Sequence, residues 1–313
     1  MDEQFIGVVN DFTNKTSLNF VVNSNVKLSL DDVIYVKKDD NYLLGIVKNM
    51  KYNFFLTDTL DYFTSLATSN DLEGLGKGRK PGCSSSFVAD LIGEYKLVGD
   101  NLIRNDFSVN YFSSPPLQRV YLLQDNYYSK LIGTSDKGLN LGKVCYPRTL
   151  EGVFDPLIFD QHTLISGETR SGKSYLSTII FDELGKDKKK IIIDPHREYR
   201  NRINDVEIIE ENYFEKLDKL NDSKIIVDES YLLLKENPDK TINFLKEAGK
   251  RGNSVIMITQ EFSDIPREIQ SQFQNYFRFR DNKIAELKNL QNRICSVKLG
   301  LSPSFVLRTR DFY

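Results

Sequence analysis

The sequence predicts an α/β fold, a parallel sheet covered by helices on both faces, preceded by a small amino-terminal β-barrel domain. Three observations point there. Residues 162–184 read as strand, glycine loop and helix. Four later apolar runs, each ending in polar residues, alternate with helical stretches, the pattern of a parallel sheet whose ligand sits at the carboxyl ends of its strands. The first third of the chain carries instead short β-rich runs divided by turn residues.

Those runs are Gln4 to Val9, Ser17 to Val22, Asp32 to Lys37 and Tyr42 to Lys48, with Asn23-Ser24-Asn25 and Asp39-Asp40-Asn41 as hairpin-type separators. Ile6-Gly7-Val8-Val9 is echoed by Leu44-Gly45-Ile46-Val47, and the glycines suggest bulges where a small sheet curls into a barrel. Glu73 to Ser86, with four glycines and Lys77, Arg79 and Lys80, reads as a solvated surface loop, phosphate contact being the alternative. Further strands are expected from Phe87 to Val98 and from Arg119 to Leu123, with Pro115-Pro116 between them. Glycines and prolines recur from Leu131 to Asp160, which predicts an extended connection. The expected division is therefore residues 1–135, barrel and linker, and residues 136–313, the sheet domain.

In that second domain the loop Gly167-Glu168-Thr169-Arg170-Ser171-Gly172-Lys173-Ser174 leads into Leu176, Ile179, Ile180 and Leu184, the spacing of an amphipathic helix. Glycines let successive backbone N–H groups converge on one anion, and the helix amino end adds positive potential. This is a P-loop, which makes the domain a P-loop NTPase and the ligand ATP. Lys173 is expected to reach the β and γ phosphates, and the Ser174 hydroxyl to ligate Mg²⁺. A glycine turn before a buried helix is the plainer reading of the same residues.

The remaining runs supply the other candidates. Lys190 to Ile193 ends in Asp194, near the phosphates; Val206 to Ile209 is a further strand; Lys224 to Val227 ends in Asp228-Glu229; Val255 to Ile258 ends in Thr259-Gln260. Asp228 has the position and charge to hold Mg²⁺, and Glu229 to deprotonate the water that attacks the γ phosphate. Gln260 is placed to orient that water. Before the Gln260 strand, Asn237 as N-cap, Pro238 at the first helical position and Gly252 as stop signal bound a helix with Ile242 and Leu245 inward.

Composition narrows the class. At 313 residues, 40% hydrophobic and 27% charged, the chain can bury about two ordinary cores. No apolar run approaches ~18 residues, and Asp2, Glu3 and Asp11 argue against a signal peptide, so no membrane and a cytoplasmic location are expected. Cys83, Cys145 and Cys295 are isolated, and His162 and His196 are too scattered for a metal site. A net charge of −2 gives no global basic field, so any nucleic-acid contact must come from a local patch.

The P-loop, the run Asp194-Pro195-His196-x-Glu198-Tyr199, the end Val227-Asp228-Glu229, and Ile258-Thr259-Gln260 followed by Asp264-Ile265-Pro266 together resemble the HerA branch of the HerA/FtsK ATPases. The β region and Gly138 to Gly142 are similar to that branch's barrel and linker. The resemblance implies a RecA-like sheet and a ring, a homo-hexamer, driven by ATP along double-stranded DNA, often with a nuclease partner. Arg197 stands where the family usually has Gly, and Gln161 where an Arg is common. Arg251, in Ala248-Gly249-Lys250-Arg251, is the candidate finger reaching a neighbour's ATP, with Arg278 and Arg280 as substitutes. Lys235 and Lys240 are candidates to line a DNA pore, or plain solubilising residues. Two other readings stay open: a packaging or transfer motor of a virus or plasmid, and a nucleotide-dependent scaffold for a nuclease or defence effector.

Overall fold

Alternating apolar residues in the first third close a sheet on itself. The computed structural model describes residues 4–14, 16–22, 26–38, 40–54, 83–99, 101–105, 118–184, 188–199, 203 and 205–311. These fall into two compact units, Met1–Leu131 and Ile132–Tyr313.

In the first unit the strands are β1 (Gln4–Asn14), β2 (Ser17–Val22), β3 (Val33–Lys38), β4 (Asn41–Phe54), β5 (Cys83–Val98), β6 (Asn101–Arg104) and β7 (Arg119–Leu122), followed by helix α1 (Asp125–Leu131). Their order is β2-β1-β7-β3-β4-β5, and β2 also pairs with β5, so the circuit closes; β6 hangs from β5 outside it. Ile6, Leu18, Phe20, Ile34, Leu43 and Phe87 fill the interior, with the Phe20 and Phe87 rings stacked 5.7 Å apart. Both expected bulges are present: the register slips between Phe5 and Gly7 against β7 and between Leu44 and Gly45 against β5. A Cβ on Gly7 would lie 2.0 Å from the Val21 carbonyl oxygen, so no other residue fits. Lys38 pairs with Asn41 where β3 and β4 meet, and Asp39 of that separator lies outside the described residues. The Asn23–Asn25 separator, Pro115-Pro116 and the 73–86 loop up to Cys83 lie outside the described residues; Cys83 onward belongs to β5.

The second unit contains β8 (Thr134–Tyr146), β9 (Leu150–Phe154), β10 (Thr163–Ser166), α2 (Lys173–Glu183), β11 (Lys189–Ile193), β12 (Glu207–Ile209), α3 (Tyr213–Leu217), β13 (Ser223–Val227), α4 (Tyr231–Glu236), α5 (Pro238–Ala248), β14 (Ser254–Thr259), α6 (Arg267–Gln270), β15 (Asn275–Arg278), β16 (Ile294–Leu299) and β17 (Phe305–Thr309). They form one sheet in the order β12-β11-β13-β14-β10-β15-β16-β17-β8-β9. From β12 to β15 every pairing is parallel, as expected. From β15 to β9 every pairing is antiparallel, so the sheet is mixed and the expectation of a parallel sheet holds for part of it. Ile225, Ile226 and Val227 are all fully buried, which explains a continuous rather than alternating apolar run.

Two local expectations are corrected. Residues 131–160 are not an extended connection: they supply β8 and β9 at the antiparallel edge. Their glycines are close-approach positions rather than breakers, since a Cβ on Gly142 would meet the Arg308 carbonyl oxygen at 2.0 Å and one on Gly138 the Phe154 oxygen at 2.1 Å. Helix α2 is not amphipathic. Leu176 to Phe181 are all buried, because both the sheet and the segments around it enclose the helix. Helix α5 follows its sequence signals: the Asn237 side chain accepts from Lys240 N at 3.0 Å, Pro238 opens it, and Gly252, at φ +72°, ends the turn that follows.

Candidate nucleotide-binding site

Strand β10 delivers the loop. Ser166 is in register with Thr259 of β14 on one side and Arg278 of β15 on the other, so the chain leaves the sheet at Gly167 between Gln260 and Phe279. Gly167 has φ +144° and Gly172 φ +116°. A Cβ on Gly167 would lie 2.6 Å from that of Phe279, and one on Gly172 would lie 3.1 Å from the same ring. Phe279 is thus the surface against which the loop is pressed. Glu168 N donates to Arg280 O (2.9 Å) and Arg293 N to Ser171 O (2.8 Å). The Glu168 carboxylate accepts from Arg280 Nε at 3.2 Å and from Asn282 N at 2.9 Å.

Lys173, buried at the first residue of α2, donates its Nζ to the Glu168 carbonyl at 2.9 Å. Burial pushes its pKa down, while Glu229, Asp228, Glu198 and Glu168 act in the opposite sense. The Ser171 and Ser230 hydroxyls are buried and, among the described residues, have no hydrogen-bond partner. Backbone amides at a helix amino end, a buried ammonium and spare hydroxyl capacity fit a polyphosphate.

Across from the loop stand the carboxylates. Asp228 is buried, and desolvation, reinforced by Glu229, Glu198 and Asp194, raises its pKa to about 7 against the opposing hydrogen bond from the Glu229 backbone. Such a carboxylate, beside the Ser174 end of α2, is the chemistry that a Mg²⁺ ion requires, and the ion's charge would favour the ionised form. Glu229 holds φ +46°, a strained conformation for a non-glycine residue. Gln260 Nε2 donates to both of its carboxylate oxygens, at 3.0 and 3.3 Å. β13 and β14 are neighbours, which brings the two side chains together.

Asp194 is placed differently from the expectation. It is fully buried, and its oxygens accept from Glu198 N (3.0 Å) and Tyr199 N (2.8 Å). Its carboxylate shapes the turn that carries Tyr199, whose hydroxyl meets Ser177 Oγ at 2.9 Å and the Ser174 side chain. Asp194 therefore bears on the loop through Tyr199. His162 is half-buried and structurally engaged: its Nδ1 accepts from Val255 N and its Nε2 donates to Leu245 O, both at 3.2 Å. His196 is exposed.

The arginines separate. Arg251 precedes β14, at the end of the strand opposite Gln260, and donates to Asp218 O at 2.6 Å, away from the loop. Arg280 is tied to Glu168 of the loop itself. Arg278 lies over the Phe262 ring at 3.8 Å. Lys240 sits over Phe214 at 5.7 Å, and Lys235 is exposed in the last turn of α4. Phe279, Asn282 and Arg293 had no signal in the sequence, and Arg280, a substitute candidate for the finger, is instead a partner of Glu168 in the loop. Only the pairing of β15 beside β10 brings them to the loop.

A family model described as helicase HerA, central domain, matches residues 140–300. The chain belongs to the HerA central-domain family. A curated relative, the DNA double-strand break repair helicase HerA of Pyrococcus furiosus, is 24% identical over 204 residues, covering 64% of this chain and 35% of that protein. The chain thus spans about a third of the length of this HerA relative. Among solved structures, the DNA-packaging ATPase B204 of Sulfolobus turreted icosahedral virus is 20% identical over 49% of this chain and 98% of its own, at a TM-score of 0.40. VirB4 of Thermoanaerobacter pseudethanolicus is 13% identical over 57% of this chain and 98% of its own, at 0.44. Among the described residues no helix is long and apolar enough to cross a membrane.

Proposed function

We propose that the protein is an ATP-hydrolysing motor of the HerA/FtsK type that moves along or opens double-stranded DNA as a closed homo-hexamer in the cytoplasm, with a nuclease as working partner. The observation that carries this reading is the Glu229–Gln260 pair, held at the strand ends beside a P-loop whose lysine and spare hydroxyls fit a polyphosphate. The family, named for a helicase, and its repair helicase in Pyrococcus furiosus support DNA as the track.

In this reading the amides of residues 168–173 and Lys173 bind the β and γ phosphates, and Ser174 and Asp228 hold Mg²⁺. When bound, Mg²⁺ neutralises charge that develops on the phosphates. Glu229 accepts the proton of the attacking water, and Gln260, already on that carboxylate, orients the pair. Arg251 is too far from its own loop, so its catalytic use is across a subunit boundary, where an arginine supplied in trans is worth ~10³-fold or more.

The test is ATP turnover titrated with duplex DNA, on wild type and on mixtures of Lys173→Ala and Arg251→Ala subunits. Duplex-stimulated turnover, with partial rescue in the mixtures, is expected. Turnover indifferent to every DNA at low salt, yet stimulated by a protein partner, would overturn the motor reading.

A further inference from the structure

The antiparallel half of the sheet has one buried and one open face. Phe277, Val297 and Leu307 alternate inward; Tyr276, Arg278, Ser296, Lys298, Val306 and Arg308 face outward. Tyr276 is paired with Lys298, and Arg278 with Ser296. Strands β15, β16 and β17 hold no acidic residue. Among the described residues, neither Arg278 nor Lys298 has a carboxylate within ion-pair distance, Glu286 acting on Arg278 only from further away.

A cleft of about 400 Å³ opens on this face, lined by Phe262, Gln270, Tyr276, Arg278, Ser296, Lys298 and Ser304. The Gln270 amide and Tyr276 hydroxyl already donate to backbone carbonyls, at 2.7 Å each, which leaves the Arg278 guanidinium, the Lys298 ammonium and the Ser296 and Ser304 hydroxyls as a set that recognises an anion. Phe262 and Tyr276 hold the Arg278 guanidinium, at 3.8 and 5.6 Å from their ring centres. Arg308 stands opposite Ile294, four residues along β16 from Lys298, or ~13 Å away. That span exceeds a single phosphate and suits a polymer of them. Phe262 follows Gln260 by two residues, so the cleft wall and the Glu229 partner share one short segment.

We propose that this cleft binds the phosphodiester backbone of duplex DNA and that Phe262 relays its occupancy to the Gln260–Glu229 pair. This rests on DNA being the track, as above. A phosphate that draws Arg278 away from Phe262 frees the ring, and with it the segment that holds Gln260 on the carboxylate.

Duplex affinity, its salt dependence and DNA-stimulated turnover are measured on the full chain for Lys298→Glu, Ser304→Glu and Phe262→Leu. Lys189→Glu, at the opposite end of the sheet, is the control for charge alone. Lys298→Glu and Ser304→Glu should lose ~10-fold or more in affinity and flatten the salt slope by ~0.9 for each phosphate that is no longer neutralised, with DNA-free turnover unchanged. Phe262→Leu should keep duplex affinity and lose stimulation. Wild-type affinity and slope in both charge variants, or losses equal to those of Lys189→Glu, would overturn the cleft while leaving the motor reading intact. Full stimulation in Phe262→Leu would overturn the relay. A wild type that ignores DNA altogether would overturn the track itself, and this proposal with it.

Discussion

At the carboxyl ends of the parallel strands, Arg170, Arg197 and Glu229 hold positive φ, Asp228 is buried among other carboxylates, and the Ser171 and Ser230 hydroxyls have no partner among the described residues. At the amino ends of β13 and β14 polar side chains are paired. Lys224, nearly buried, pairs with Asp160 at 2.6 Å; Asn253 accepts from Ser223 N and donates to Leu220 O. A carboxylate cluster and unpaired hydroxyls gather at one end of the sheet, and the pairs at the other supply stability that tolerates them. Changes at the first end should therefore alter chemistry with little loss of stability, and changes at the second should do the reverse.

The largest expected effect is catalytic. Glu229→Gln should keep ATP binding and lower turnover by ~10²-fold or more, whereas Lys173→Ala should remove binding itself. Equilibrium nucleotide binding beside single-turnover hydrolysis checks both, and near-normal turnover in Glu229→Gln would take that residue out of the proton-transfer role.

At the opposite end, Asp160→Asn leaves the Lys224 ammonium buried without its partner. Because Asp160 is itself partly exposed, the expected loss is about 1–2 kcal/mol, with nucleotide affinity unchanged. Chemical denaturation of the wild type and the variant measures it.

Asp228→Asn should raise the melting temperature of the nucleotide-free protein near pH 7 by about 2 °C or more while abolishing Mg²⁺-dependent turnover. In the native state Asp228 keeps a proton up to about pH 7 that the unfolded chain loses near pH 3.8. Its contribution to stability therefore falls as pH rises through that window, and the amide removes the fall. A gain as large at pH 4 as at pH 7 would contradict this origin.

The smallest effect concerns His162, whose pKa burial lowers below 6.5. As pH falls below that value the unfolded chain takes up a proton that the native state resists, so stability is lost, by at most ~1.4 kcal/mol per pH unit. His162→Phe should flatten the acid side of a melting-temperature profile between pH 7 and 5.

Signals confined to neighbouring residues were readable from sequence. The glycine loop, the N-cap at Asn237 and the bulge glycines at positions 7 and 45 each depend on a few adjacent side chains. What depended on strand order was not. The Glu168–Arg280 link, the Phe279 surface under the loop and the seat of Arg278 exist because β15 pairs beside β10. The glycines of β8 looked like breakers because the carbonyls they admit lie on other strands, β9 for Gly138 and β17, remote in the chain, for Gly142. Asp194 pointed to the phosphates by position alone; its hydrogen bonds tie it to the turn instead.

That seam between β8 and β17 also dictates an order of assembly. Tyr146 and Val306 are partners although they lie near opposite ends of the second unit. As the chain leaves the ribosome, β10 to β14 can collapse around their own core, but the β8–β9 hairpin must wait with an open edge until β17 is synthesised. The last strand of this unit to be made therefore locks in place the first, and a ribosome stalled before Phe305 would present a hairpin ready to pair with the wrong chain.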